Sequence, residues 1–362
     1  MNNLEKLKFK KEGLILYKAG TPQFKNNFTR DSILSGILMQ NSGMLKDQLI
    51  FCSKKQGIKK NPFTGEEPGK IFHEYPGKKI RGLSTKFSAS DTTALFLIGH
   101  EIYQRLTKDK ILAIQQKNSI IKAVNYIKSH LKNNAFVEDP KFCRGNKFAL
   151  KVTYWKDSVL PLRNRGEPVY PVVYTLSHIQ NMRALRSASF LLNDNSLERI
   201  SLKMLDYFNE NLIDKKTNLP YIAIDKKGYL NYINSDLLHM LFYLKKGDIS
   251  KKTLKAIVKN SKILETKAGY RTLEESYAKL VSNKYHAETI WPFEQAIIHA
   301  GAKKFNLKNV EKISLRILKY IKDKNPETLK IKNKKIIFSG CKSQLWTIAA
   351  KKYFKNKKGI FP

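Results

Sequence analysis

The 362-residue chain is short of cysteine, tryptophan, histidine and acid: it has 3 Cys, 3 Trp and 7 His, and 30 Asp plus Glu against 68 Lys plus Arg. Each shortage excludes something. Cys52, Cys143 and Cys341 are odd in number, far apart and without C-x-x-C spacing, which excludes a disulfide framework and a cysteine zinc site. No apolar run approaches the roughly 18 residues of a membrane span. Met1–Lys11 is polar and charged where a secretion signal would be apolar. A cytoplasmic chain with no membrane partner is therefore expected. What is present is a large aromatic content, 19 Phe and 17 Tyr, within 42% apolar residues. That is too rich for a disordered polycation and ample for a buried core.

The net charge of +38 invites a nucleic-acid reading, because lysines release the counterions of phosphates. The pattern argues against it. Short runs such as Lys54-Lys55, Lys59-Lys60, Lys78-Lys79, Lys334-Lys335 and Lys357-Lys358 are scattered and form no stripe with interleaved aromatics. Only 11 of the basic residues are Arg, the better reader of bases and phosphates. A solvated basic surface is the plainer account, and nucleic acid is not the expected partner.

Helical spacing runs through the chain. Ile33, Leu34, Ile37 and Leu38 share one face over Asp31–Gln40, and Leu95, Phe96, Ile98, Ile102 and Leu106 support Thr92–Leu106. A third helix is predicted over Lys110–Leu131. The same period returns near Pro171–Leu192, Leu197–Leu212, Leu237–Leu244, Pro292–Phe305, Val310–Ile321 and Ser343–Phe354. Strand-like alternation is confined to short pieces such as Pro220–Ile224, so the chain reads as all-α. Asp47–Ser90, Ala135–Pro171 and Lys262–Trp291 read as long loops, which compact domains usually keep for function. No break in composition marks a linker, so residues 1–362 read as one domain. Helices joined alternately by short turns and long loops fit a toroid of helical hairpins, with the loops gathered over one end.

Four loop segments mix carboxylates with aromatics, Gly or Pro. They are Ala19–Phe24 with Arg30-Asp31-Ser32, then His73-Glu74 with Asp91–Phe96, then Trp155-Lys156-Asp157-Ser158, and finally Tyr285–Pro292 with Asn325-Pro326-Glu327-Thr328 and Cys341–Trp346. Asp31, Ser32 and Asp91 also stand where helix caps would stand. A Trp two residues before an Asp suits a sugar ring held beside an acid, since aromatic faces stack on pyranose C–H groups and carboxylates bond hydroxyls.

In this order the segments resemble the glucosidase domain of glycogen-debranching enzymes, the amylo-α-1,6-glucosidases, within the six-hairpin clan of glucoamylases and trehalases. That family shows A-G-x-P-x-F before R-D-S, H-E before D-A-T-P-L-F, then W-K-D-S, Y-H-x-G-x-x-W-P, P-E-L and C-x-x-Q-A-W. The likeness runs from about Lys18 to Tyr353. It implies an (α/α)6 toroid, a single catalytic domain and an inverting hydrolysis with no metal or cofactor. By resemblance, Asp157 would be the general acid and Glu327 the base that activates water. Arg30, Asp31 and Asp91 would hold the sugar, with His73 and Glu74 beside them. Trp155 and Trp291 would stack on it, and His286 and Gln344 would line or brace the pocket, although a structural histidine and a plain core Trp346 fit as well.

Two positions depart from the family. Glu288 replaces the Gly of Y-H-x-G and brings a further carboxylate towards the site, and Thr328 replaces the Leu of P-E-L. Glu288 and Glu294 are thus rivals to Glu327 as base. Debranching enzymes carry a further N-terminal β-domain, and this chain begins some twenty residues before the first motif. The expectation is a catalytic toroid that either takes short malto-oligosaccharides or works with a separately encoded transferase or N-terminal-domain partner. The leading substrate is an α-glucan or oligosaccharide, with the α-1,6 branch stubs of glycogen first. A trehalase or other α-glucosidase, and a carbohydrate-binding scaffold without catalysis, remain as alternatives.

Overall fold

The computed structural model describes residues 3–158, 160–333 and 335–356. Fourteen α-helices are distinguished among them, and six elements close a ring. Helix α1 (Thr29–Met39) packs on α3 (Thr92–Thr107), α3 on α6 (Thr175–Leu192), and α6 on the 3-10 turn Met240–Phe242 that continues α8 (Asp236–His239). That pair packs on α11 (Pro292–Lys304), α11 on α14 (Leu345–Asn356), and α14 returns to α1. Around the ring lie α2 (Ser42–Lys54), α5 (Lys117–Ser129), α7 (Asn195–Asn211), α9 (Lys251–Asn260), α12 (Lys308–Ser314) and α13 (Leu318–Ile321). The remaining helices are α4 (Ile111–Gln115) and α10 (Glu275–Leu280). The architecture is the expected (α/α)6 toroid.

Composition explains which helices are inside. Thr29–Leu38 in α1 and Pro292–Ala302 in α11 are buried at every position: most are small or apolar, and the exceptions Arg30, Asp31, Glu294, Gln295 and His299 are buried with them. The outer α7 and α9 bury one stripe each, such as Leu197, Met204 and Phe208 in α7, and coat the other faces with Lys, Asn and Glu.

Several expectations are corrected. The Lys110–Leu131 helix breaks at Gln116, whose buried amide bonds His100 Nε2 at 3.1 Å. The stretch read as loop from Asp47 begins inside α2. There Gln48 and Cys52 interrupt the apolar stripe, yet both are buried, and Gln48 exchanges two hydrogen bonds with Asn27. Helix α9 lies between the expected helices, capped by Ser250, whose hydroxyl accepts from Thr253 N–H. The short strand lies at Ala223–Asp225 rather than Pro220–Ile224. Small sheets accompany the helices, among them the antiparallel hairpin Thr328–Lys332 with Lys335–Ser339. No helix among the described residues is long and apolar enough to cross a membrane.

The starts of the ring helices lie at one end and are stitched together. Arg30 in α1 makes a two-pronged pair with Asp91, just before α3. Ser177 and Asn181 of α6 donate to the Ser90 carbonyl, Ser235 before α8 donates to Glu294 of α11 at 2.6 Å, and Trp291 before α11 meets Trp346 of α14 edge-on. Asp91 does not cap α3; its carboxylate is spent on Arg30. Asp31 does not cap α1 either, since it sits within the first turn.

Candidate active site

At this end a cavity of about 80 Å³ opens between the ring and the loops. One water needs about 10–15 Å³ on that measure, so the space suits several waters or one small ring. Its lining draws on each of the four loop segments that the sequence offered, though not on Asp91–Phe96. Arg30 and Asp31 come from α1, His73 from the loop after α2, Trp155 and Asp157 from the loop before α6, and Tyr285, His286 and Trp291 from the segment before α11. Glu327 and Gln344 flank the Lys-rich hairpin, and Phe24, Phe28 and Trp346 add apolar wall. A larger groove of about 1010 Å³ lies between α3, α6 and α7, but none of the motif residues reaches it.

Three carboxylates face this small space, and Glu327 helps to raise the other two. Burial pushes the Asp157 carboxyl up to about 7, against the pull of Arg30 and with help from Asp91, Glu74 and Glu327. The Asp157 side chain keeps 23% of its surface exposed, and Arg30 Nη1 and His286 Nδ1 each stand 3.9 Å from its oxygens. Burial also carries Asp31 up to about 8, with Arg30 opposing and Glu327 and Asp157 adding to it. Both groups therefore hold protons near neutrality, as a carboxylic acid must in order to donate.

Glu327 stands differently. It too is raised by burial, but two donors favour its ionised form: the Tyr285 hydroxyl on Oε1 and the Cys341 backbone N–H on Oε2, the latter at 2.7 Å. The backbone there is shaped for the purpose. Gly340 takes a φ of +77°, and any Cβ at that position would collide with the Glu327 carboxylate. Only glycine lets the chain turn this close and still present the next N–H.

His73 and His286 line the cavity as neutral rings, because burial, with Arg30 nearby, holds both well below the usual histidine range; Lys156 adds to this at His286. His286 Nδ1 lies 3.0 Å from Ser158 Oγ, and its ring stacks on Trp291 at 5.0 Å. Trp155 packs edge-on to His286, Trp291 and Phe293, with its indole N–H donated to Asp236 at 2.8 Å. For Gln344, one amide orientation donates to the Ala19 carbonyl at 2.9 Å and accepts from Trp346 Nε1 at 3.0 Å. The other reaches Asp31 at 3.5 Å, so the first is favoured and Gln344 is a brace.

Four expected residues lie outside the cavity lining. Asp91 stands behind Arg30, fully buried, and orients the guanidinium. Glu74 accepts from the Thr85 hydroxyl and from Asn26 Nδ2 at 3.1 Å. Glu288 is corrected: 39% exposed, it pairs with Lys284 at 3.3 Å and faces away from the cavity, as a carboxylate with a nearby lysine and open water does. Glu294, the other rival base, is fully buried, is absent from the cavity lining and accepts from Ser235. Conversely, Tyr285 gains a role that its place beside His286 in the motif had hinted at, and Asp236 gains one with no sequence signal at all.

No family model and no curated protein sequence matches the chain. Solved structures do match in shape. The GH63 mannosylglycerate hydrolase of Thermus thermophilus, in complex with Tris and D-glycerate, superposes with a TM-score of 0.71 over 98% of each chain, at 9% identity. The GH78 rhamnosidase of Bacillus sp. GL1 superposes with a TM-score of 0.62 over 94% of this chain and 32% of its own, at 11% identity. At such identities the likeness is one of fold: the chain shares an (α/α)6 toroid with these structures.

Proposed function

We propose that the protein is a glycoside hydrolase that removes a terminal α-linked sugar, with glucose the leading candidate, by an inverting two-carboxylate reaction. Asp157 is the acid and Glu327 the base. The observation that carries this is their contrast within one cavity: Asp157 raised to about 7 without a hydrogen-bonding cation, and Glu327 held by two donors. In the reaction the bond from C1 to the glycosidic oxygen breaks as Asp157 passes its proton to that oxygen. A water oxygen bonds C1 from the opposite face, and its proton goes to Glu327. An inverting pair needs roughly 6.5–9.5 Å between carboxyls to seat that water. Arg30, protonated Asp31 and His73, whose Nδ1 has no partner among the described residues, supply hydroxyl contacts. The mechanism calls on no metal or cofactor.

The small cavity favours a second reading of the substrate. Space for one ring suits a short glycoside at least as well as a glycogen branch stub, and the mannosylglycerate hydrolase of like fold bears the name of such a compound. A panel of isomaltose, maltose, trehalose, limit dextrin and mannosylglycerate, with the product anomer followed by NMR, tests both. Release of the β-anomer from any α-glycoside supports the mechanism. No turnover, with binding of glycogen retained, overturns it in favour of a scaffold.

A further inference from the structure

The three residues before Asp157 all end on one carboxylate. Asp236, at the start of α8, accepts from Tyr154 Oη at 3.0 Å, Trp155 Nε1 at 2.8 Å and Lys156 Nζ at 2.9 Å. Asn234 Nδ2 is a fourth donor at 3.0 Å. A carboxylate offers about four lone-pair positions, so this one is saturated. Its own backbone is fixed as well, since Asp236 N–H donates to Asn234 Oδ1 at 2.9 Å. The arrangement is buried throughout: Tyr154, Trp155, Lys156 and Asp236 are each less than 5% exposed.

Lys156 ties the clamp into the ring. Its ammonium also donates to Ser235 Oγ at 2.8 Å and to the Thr272 carbonyl at 3.4 Å, and Ser235 Oγ donates to Glu294 of α11. Asp236, His239 and Glu294 bring ligand atoms within 4.8 Å of one another, a spacing that would suit a metal ion. The Lys156 ammonium stands 2.9 Å from Asp236 and 3.9 Å from Glu294 and gives the cluster its cation from the chain itself.

Asp157, by contrast, meets Arg30 and His286 at 3.9 Å, beyond hydrogen-bond reach. Its direction is set by the backbone that carries it. We propose that Asp236 is the positioning residue of the general acid: by holding Tyr154, Trp155 and Lys156 together, it fixes where the Asp157 carboxyl stands. This rests on the reading of Asp157 as the acid, and it adds a residue that takes no part in the chemistry. A misplaced acid delays proton transfer to the leaving group but leaves sugar binding and water attack intact.

The discriminating probe is a substrate whose leaving group needs no proton. Wild type, Asp236→Asn and Tyr154→Phe are assayed on isomaltose and on α-glucosyl fluoride, with circular dichroism on each variant. Asp236→Asn is expected to lower kcat on isomaltose by about 10²-fold with KM nearly unchanged, while kcat on the fluoride falls less than about tenfold. Tyr154→Phe keeps the carboxylate and removes one donor, so it should fold and show the same bias at a smaller size. It decides the matter if the Asp236 variant does not fold. Equal losses on both substrates, or no loss, overturn the positioning role and leave the hydrolase reading standing. Where another glycoside of the panel above is the one turned over, it and the matching glycosyl fluoride take the place of isomaltose and α-glucosyl fluoride; wild type inert towards the whole panel and the fluorides overturns the hydrolase reading and this proposal together.

Discussion

Replacing Asp157 by asparagine should remove activity and stabilise the protein above neutrality. The folded chain holds the Asp157 proton up to about pH 7, whereas the unfolded chain releases it near its ordinary value of 3.8. Between those limits the native state binds more protons than the unfolded state, so stability is lost as pH rises through the window and levels off above it. The gap is about three pH units at about 1.36 kcal/mol each, an upper limit of about 4 kcal/mol. Partial exposure of the side chain reduces that, and about 2–4 kcal/mol at pH 8 is the working range. Asn keeps the shape without the charge. It also relieves Asp31, since the Asp157 charge is one cause of the rise of Asp31 to about 8. Urea denaturation of both proteins at about pH 4.5, 6 and 8 and constant ionic strength measures the difference. It should be about 1 kcal/mol or less at the lowest pH and grow towards the highest. A difference independent of pH, or a variant less stable at the highest pH, would refute the account of Asp157 as a buried, proton-holding acid.

Five further outcomes are expected. Activity should fall as pH rises through about 7, where Asp157 loses its proton, and Glu327→Gln should lower kcat by about 10²–10⁴-fold with KM little changed, as steady-state kinetics can show. Gly340→Ala should cost most of the activity while the helical circular dichroism stays intact, because the added methyl displaces the Glu327 carboxylate. Arg30→Met leaves Asp91 buried without its partner and should destabilise by about 3–5 kcal/mol in denaturant melts. Glu288→Gln should change stability by less than about 0.5 kcal/mol and leave kcat/KM within experimental scatter, its carboxylate being a solvated partner of Lys284.

The inner helices were legible because their burial is nearly complete: Ile33, Leu34, Ile37 and Leu38 mark α1 even though the polar face between them is buried too. Helix α2 was not, because Gln48 and Cys52 look like surface residues until Asn27 is seen across from them. The Thr328–Lys332 hairpin hid in lysines whose alternation with Leu329 and Ile331 reads as plain charge. For the site, the motif order brought Arg30, Asp31, His73, Trp155, Asp157, His286, Trp291, Glu327 and Gln344 to one cavity. Glu288 was over-read because it stands where the debranching-enzyme pattern has glycine, a difference of residue that says nothing of direction. Asp236 was illegible in principle: its three partners lie some eighty residues upstream, and no local pattern links them.

The two carboxylates hang from different parts of the chain. Asp157 follows a tripeptide tied to α8, and Glu327 is gripped from the base of the Thr328–Ser339 hairpin beside α14. Neither attachment fixes the gap between them; the circumference of the helical ring does. The ring works as a caliper, and any loosening of its wall, by heat, denaturant or a trimmed core side chain such as Phe293→Ala, alters the opening before the helices melt. Activity of the proposed hydrolase is therefore expected to fail at temperatures where the circular dichroism is still native.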